Sequence, residues 1–185
     1  MKGPVSFGFL FAFVFIIVKM AMHFGGLFEG NILPTSFLNI LLLLLAVAVG
    51  LYQYIRNREA AYETLLQEVK QGLKPGIVYT LLVSGFLFLY YNNIDRSIIE
   101  TMQQQRIEEF SKGLQNPSTL AEIRKSNEAF ELMTPEEILQ EVKSNVDQFI
   151  SARSLFLMSL MSLMLLSIIY SLLVAIIYRN VLFRK

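Results

Sequence analysis

The chain has 185 residues, of which 54% are apolar and only 17% charged, with a mean hydropathy of +0.50. That balance lies outside the range of soluble domains and marks an integral membrane protein. Sixteen Lys and Arg against fifteen Asp and Glu leave +1, so no basic field argues for nucleic acid as a partner. With no Cys and a single His, His23, the composition excludes a disulfide framework, a thiol nucleophile, a Cys-built zinc site and lipidation through Cys.

Four stretches carry the membrane reading. Residues 3–26 hold one Lys and the His, and residues 36–55, 76–94 and 154–178 hold no formal charge. About twenty residues at roughly 1.5 Å each cross a hydrocarbon layer of roughly 30 Å, so all four are long enough. The expected fold is an all-α integral membrane protein: four transmembrane helices, with a helical extramembrane hairpin between helices three and four. Tyr52, Tyr54, Tyr90, Tyr91 and Tyr178 fall where an interfacial aromatic belt would place them. The first stretch has the leading Lys2 and apolar run of a signal peptide. No small-x-small site follows that run, only Lys19, Met20, Ala21, Met22 and His23, so it reads as a retained helix.

Orientation follows from the basic residues. Lys2, the connection holding Arg56, Arg58, Lys70 and Lys74, and the end holding Arg179, Arg184 and Lys185 are expected in the cytoplasm by the positive-inside rule. Residues 27–35 and 95–153 then lie on the opposite side. The longer of these carries seven basic and eleven acidic residues, an acidic balance that suits translocation.

Between spans two and three, Tyr62, Leu65, Leu66, Val69 and Leu73 recur at the spacing of one apolar helical stripe, with Glu59, Glu63, Gln67, Lys70 and Gln71 elsewhere on the wheel. This predicts a separate amphipathic helix over 57–73, lying flat on the membrane. Gly72, Pro75 and Gly76 punctuate the entry to span three, with Pro75 in a first turn.

Inside the bilayer each span offers small or hydroxyl residues at intervals of four: Gly8 and Ala12; Ala46 and Gly50; Gly76, Thr80 and Ser84; Ser167, Ser171 and Ala175. These predict close helix packing, within the chain or against another subunit. Lys19 is the one acid or base within a span. Counted from Val5 it lies about 21 Å into the layer, close enough to the outer boundary for its stem to snorkel there. Contact with a partner or substrate, together with His23 one turn later, and a pair with Glu29 are the alternatives.

Helix three is expected to continue outward along Ile94, Ile98, Ile99, Met102, Ile107, Phe110 and Leu114, with Gly113, Asn116, Pro117 and Ser118 ending it. A weaker helix is predicted from Thr119 to about Phe130. Thr134, Pro135, Glu136 and Glu137 then form a helix start: a hydroxyl cap, proline in the first turn, and acids at the positive end of the dipole. From there the pattern predicts one unbroken rod to Tyr178, because no breaker intervenes. Ile138, Val142, Val146 and Phe149 on this rod are expected to pack on Ile98, Met102 and Ile107.

No sequence motif for chemistry is present. Gly25 to Gly30 is followed by Asn31 and Ile32 where a phosphate loop needs Lys and Ser, and neither a dinucleotide fingerprint nor a zinc-protease motif occurs. The acids Glu108 and Glu109, and Glu136, Glu137 and Glu141, read as solvated helix surface. No catalytic residue, cofactor or metal ligand is assigned.

The order of these elements, the stretch GLKPGIVYTLLVSGFLFLYYNNID from Gly72 to Asp95 and the LMTPEEI segment before the last span resemble the Bacteroidota membrane proteins called domain of unknown function family 4199. The resemblance covers nearly the whole chain. It implies the inner membrane of a Gram-negative envelope, so that with the orientation read from the basic residues both termini are expected in the cytoplasm and residues 95–153 in the periplasm, and it implies no activity. The expected role is a non-catalytic accessory or scaffold subunit whose partners are the lipid bilayer and other membrane-protein subunits. The rivals are a transporter or platform for lipid-linked sugar beside a polyprenol-phosphate glycosyltransferase, a periplasmic sensor, and an enzyme.

Overall fold

The computed structural model describes residues 3–27, 31–57 and 64–182. Lys2, Glu29, Arg58, Glu59, Tyr62, Glu63, Arg184 and Lys185, which the sequence reading used, lie outside them. The described residues form α1 (Val5–Phe24), α2 (Leu33–Asn57), α3 (Leu65–Leu89), a π-helical turn (Tyr90–Ile94), α4 (Ser97–Leu114), α5 (Pro117–Ser126), a 3-10 turn (Glu128–Phe130), α6 (Pro135–Phe149), α7 (Ala152–Ile177) and a second π-helical turn (Tyr178–Leu182). There is no strand among them. Four helical stretches are long and apolar enough to cross a membrane: Val5–Phe24, Leu33–Asn57, Leu65–Ile94 and Ala152–Val181. This is a multi-pass membrane protein.

The chain divides into two compact units, Met1–Tyr90 with Phe156–Lys185, and Tyr91–Leu155. In the first, α1, α2 and α3 pack against one another. Glycine sets how closely they approach. A Cβ on Gly8 would collide with the Pro75 carbonyl oxygen, and one on Gly50 would stand 2.8 Å from Pro75 Cγ and 3.2 Å from the Pro4 carbonyl oxygen. Without side chains at these two positions, the backbones of α1 and α2 reach the proline of α3 directly.

That contact corrects two expectations about α3. Among the described residues, 65–73 do not form an amphipathic helix of their own, and span three does not begin at residue 76. A single helix starts at Leu65 and runs through Gly72, Pro75 and Gly76 without a break. Its start is a capping box, with Gln67 N donating to Thr64 Oγ1 (3.3 Å) and Thr64 N to Gln67 Oε1 (2.9 Å). A proline inside a helix costs about 3 kcal/mol through its missing donor and ring clash. Here the ring fills the notch left by Gly50, and the contact offsets that cost. Of the expected stripe, Leu66 is exposed while Leu65, Val69 and Leu73 are half-buried. The buried face instead runs through Glu68, Gly72, Pro75, Gly76, Tyr79, Thr80, Val83, Ser84 and Leu87.

α7 joins the first unit at three levels. The Phe88 and Phe156 rings meet at 5.8 Å, Gly72 and Gly76 lie against Ser171 and Ser167, and Tyr178 OH donates to the Ala48 carbonyl (3.0 Å) beside the Tyr52 ring.

In the second unit α4 packs on α6, and α5 on α4. Ile98, Ile99, Leu114, Ile138 and Val146 are buried, while Met102, Ile107 and Val142 are half-buried. Phe149 is 71% exposed and does not belong to this core. α6 ends at that residue, and Gln103 of α4 reaches past it to donate to the Ile150 carbonyl (2.8 Å).

The same contact corrects the unbroken rod from residue 135 to 178. Ile150 leaves the helical region (φ −99°, ψ 79°), and α7 starts afresh at Ala152. Ser151 accepts from Ser154 N (3.3 Å) and donates to the Gln148 carbonyl (3.2 Å), so side chains take up the groups the break releases. Span three likewise does not run on into α4. After the π-helical turn, Asp95 Oδ1 accepts from Ser97 N (3.1 Å) and Arg96 Nε donates to the Asn92 carbonyl (2.8 Å), and a new helix begins.

The start of α6 lies where the sequence placed it. Glu137 N donates to Thr134 Oγ1 (3.3 Å) and Thr134 N to Glu137 Oε2 (2.8 Å). The Thr134 backbone N–H holds the Glu137 carboxyl below the usual carboxylate range. A depressed folded-state pKa means that this cap contributes above the unfolded value and is lost as pH falls through the folded one.

Candidate functional site

Polar side chains inside a bilayer are where a membrane protein without enzyme motifs can carry function. In this chain they gather within the first unit. Pro4, Gly50 and Pro75 touch at one level of the three-helix group. Fifteen residues along each helix from that level, about 22 Å at 1.5 Å per residue, lie Lys19 on α1, Thr35 on α2 and Tyr90 at the end of α3. All three are buried, Lys19 to 6% exposure.

Lys19 is covered by neighbouring side chains instead of standing at the surface of the helix group. Its Nζ stands 4.7 Å from the centroid of the Tyr90 ring. A cation on an aromatic face stabilises by about 0.5–1 kcal/mol when exposed and about 2 when desolvated, and here the site is desolvated. His23 meets the same ring edge-on at 5.5 Å. Phe86 lies 5.8 Å from Tyr90 and 6.4 Å from Phe15. The two partner candidates, Lys19 and His23, are thus brought together by Tyr90, a residue the sequence reading assigned to the interfacial belt. Their arrangement concentrates basic side chains on one ring at the Phe24 end of α1.

A second polar pair lies deeper. Tyr79 OH donates to Asn39 Oδ1 (2.8 Å), with the Asn39 carbonyl oxygen at 3.0 Å, and both residues are buried. Satisfying the phenol inside the helix group removes the cost of burying it in hydrocarbon. Glu68, 2% exposed, is buried near the start of α3.

Among the described residues no group of three or more His, Asp and Glu comes together to hold a metal ion. The helix-packing candidates Gly8, Ala12, Ala46, Gly50, Thr80, Ser84, Ser167, Ser171 and Ala175 all lie buried in the first unit. Gly8 and Gly50 meet Pro75, while Ser167 and Ser171 meet Gly76 and Gly72.

A family model described as protein of unknown function (DUF4199) matches residues 3–180. The chain belongs to this family. No curated protein and no solved structure matches it. The DUF4199 match covers α1 through α7, so the Lys19–Tyr90–His23 cluster and the Tyr79–Asn39 pair both fall within the family region.

Sequence reasoning singled out Lys19 and His23 but missed Tyr79, Asn39, Thr35 and Glu68 in this DUF4199 protein. Glu68 carried a usable signal. It stands four residues before Gly72, at the head of a line that continues through Gly76, Thr80 and Ser84. A carboxylate on the small-residue face of a membrane helix is a candidate for burial.

Proposed function

We propose that this protein is a non-catalytic accessory or scaffold subunit of an inner-membrane complex, with both termini in the cytoplasm and residues 95–153 in the periplasm. The observation that carries the reading is Leu132. It is 98% exposed on a unit that builds its core from other residues. The turn that displays it is tied down on both sides: Arg124 Nη2 donates to the Met133 carbonyl (2.8 Å), Glu131 N donates to the Glu128 carbonyl (3.2 Å), and the Thr134 capping box follows at once. A single exposed leucine is ordinary on a protein surface; what supports a docking role here is that hydrogen bonds on both sides hold the turn, and so the side chain, in one place.

A photoreactive benzophenone amino acid at position 132 is expected to crosslink in native membranes to one other membrane protein, identified by mass spectrometry after mild detergent extraction. No crosslink, together with sedimentation of the extracted chain at its own mass, overturns the subunit reading. Orientation has a separate test, since the chain has no Cys. In intact spheroplasts an impermeant maleimide should label Asn116→Cys and leave Lys70→Cys untouched. The opposite pattern reverses the topology.

A further inference from the structure

Gly72, Gly76, Thr80, Ser84 and Phe88 recur every four residues along α3. Both ends of this line touch α7. A Cβ on Gly72 would stand 3.3 Å from Ser171 Cβ and Oγ, one on Gly76 would collide with Ser167 Oγ, and the Phe88 ring meets Phe156. Four residues forward on α3 correspond to four backward on α7, so the helices run antiparallel. Continuing that spacing places Thr80 and Ser84 in the interval between these contacts, level with Leu163 and Ser159.

Within this seam Ser171 is satisfied, because its hydroxyl donates to the Ser167 carbonyl (2.7 Å). Thr80 Oγ1, Ser84 Oγ and Ser167 Oγ are fully buried and make no hydrogen bond with any described residue. In a membrane helix such hydroxyls ordinarily bond back to the carbonyl four residues earlier. Three of them buried along one seam without that bond, in a medium with no bulk water to compensate, call for a partner that is small, both donor and acceptor, and able to fit between helices. Water meets these requirements, since a buried water takes two to four polar partners.

We propose that the α3–α7 seam binds ordered water, held by Thr80, Ser84 and Ser167. The seam is sealed from bulk solvent at these residues, so the waters belong to the fold. The line they follow leads through Gly76 and Gly72 to buried Glu68, one turn further along α3. α7 is then held to the three-helix group by exchangeable hydrogen bonds in its middle and by ring contacts at its ends.

The test uses the full chain in lipid nanodiscs and methyl methanethiosulfonate, a small neutral reagent that dissolves in lipid and whose sulfenyl sulfur is attacked by thiolate, forming the mixed methyl disulfide and releasing methanesulfinate. Apolar, dry surroundings raise the pKa of a thiol and suppress its thiolate, whereas water beside it solvates the anion and leaves a larger thiolate fraction. Ser84→Cys is expected to react at least about tenfold faster than Leu43→Cys, a fully buried position on α2. Equal rates for the two, with both reacting fully after unfolding, overturn the proposal. Thr80→Val, which keeps the shape and removes the hydroxyl, provides the second measurement. It should lower the thermal midpoint, whereas an unchanged or raised midpoint is the result of a dry seam, where removing an unpaired hydroxyl relieves a penalty.

Discussion

Gly8→Ala is expected to destabilise the membrane unit by about 1–3 kcal/mol, the usual cost of forcing extra volume into a packed interior. The added methyl would overlap the Pro75 carbonyl oxygen, with Val78 Cβ at 3.0 Å. The carbonyl is backbone inside α3 and cannot rotate away, so α1 has to move off the group. Gly85→Ala is the matching control, because a Cβ there meets nothing within 4 Å. It should stabilise α3 by about 0.5–1 kcal/mol through reduced backbone entropy. Reversible unfolding in mixed micelles separates the two. Equal stabilities for both variants and the wild type would mean that α1 does not pack on α3 at Pro75.

Ile138→Ala has the largest expected effect in the second unit. The side chain is fully buried on α6, which packs on α4, and truncating such a residue costs about 2–5 kcal/mol. Amide hydrogen exchange should accelerate along both α4 and α6. Phe149→Ala, at an exposed position, should leave those amides within about 0.5 kcal/mol of wild type. If Phe149→Ala loosened the unit as much as Ile138→Ala, the assignment of the core would fail.

The bilayer made part of this fold readable from sequence. Its thickness fixes how long an uncharged run must be, so α1, α2 and α7 stood out by length alone. Span three was misplaced because Gly72, Pro75 and Gly76 are helix breakers when judged one residue at a time. Their function here comes from other helices: Gly8 and Gly50 make room for the proline, and Ser167 and Ser171 occupy the space over the glycines. The break at Ile150 was missed for a related reason. Serines at 151 and 154 are ordinary in a membrane helix and equally ordinary as caps, and only the reach of Gln103 to the Ile150 carbonyl decides between them. Lys19 was judged from the geometry of α1 by itself. Tyr90, whose ring lies 4.7 Å from the Lys19 ammonium, stands at the end of another helix and cannot be found from spacing around residue 19. The cap of α6, by contrast, is local in sequence and local in space, and it was legible.

The meeting of Pro4, Gly50 and Pro75 also bears on how the protein is made. These residues come from three segments that leave the ribosome one after another, and the contact exists only once the third is in place. A nascent chain with α1 and α2 inserted therefore presents two open glycine notches, at Gly8 and Gly50, for the time taken to translate and insert α3. Insertion of α3 closes both with a single residue. The first three helices should accordingly leave the insertion machinery as a group, and a chain truncated before Leu65 should be held there or degraded.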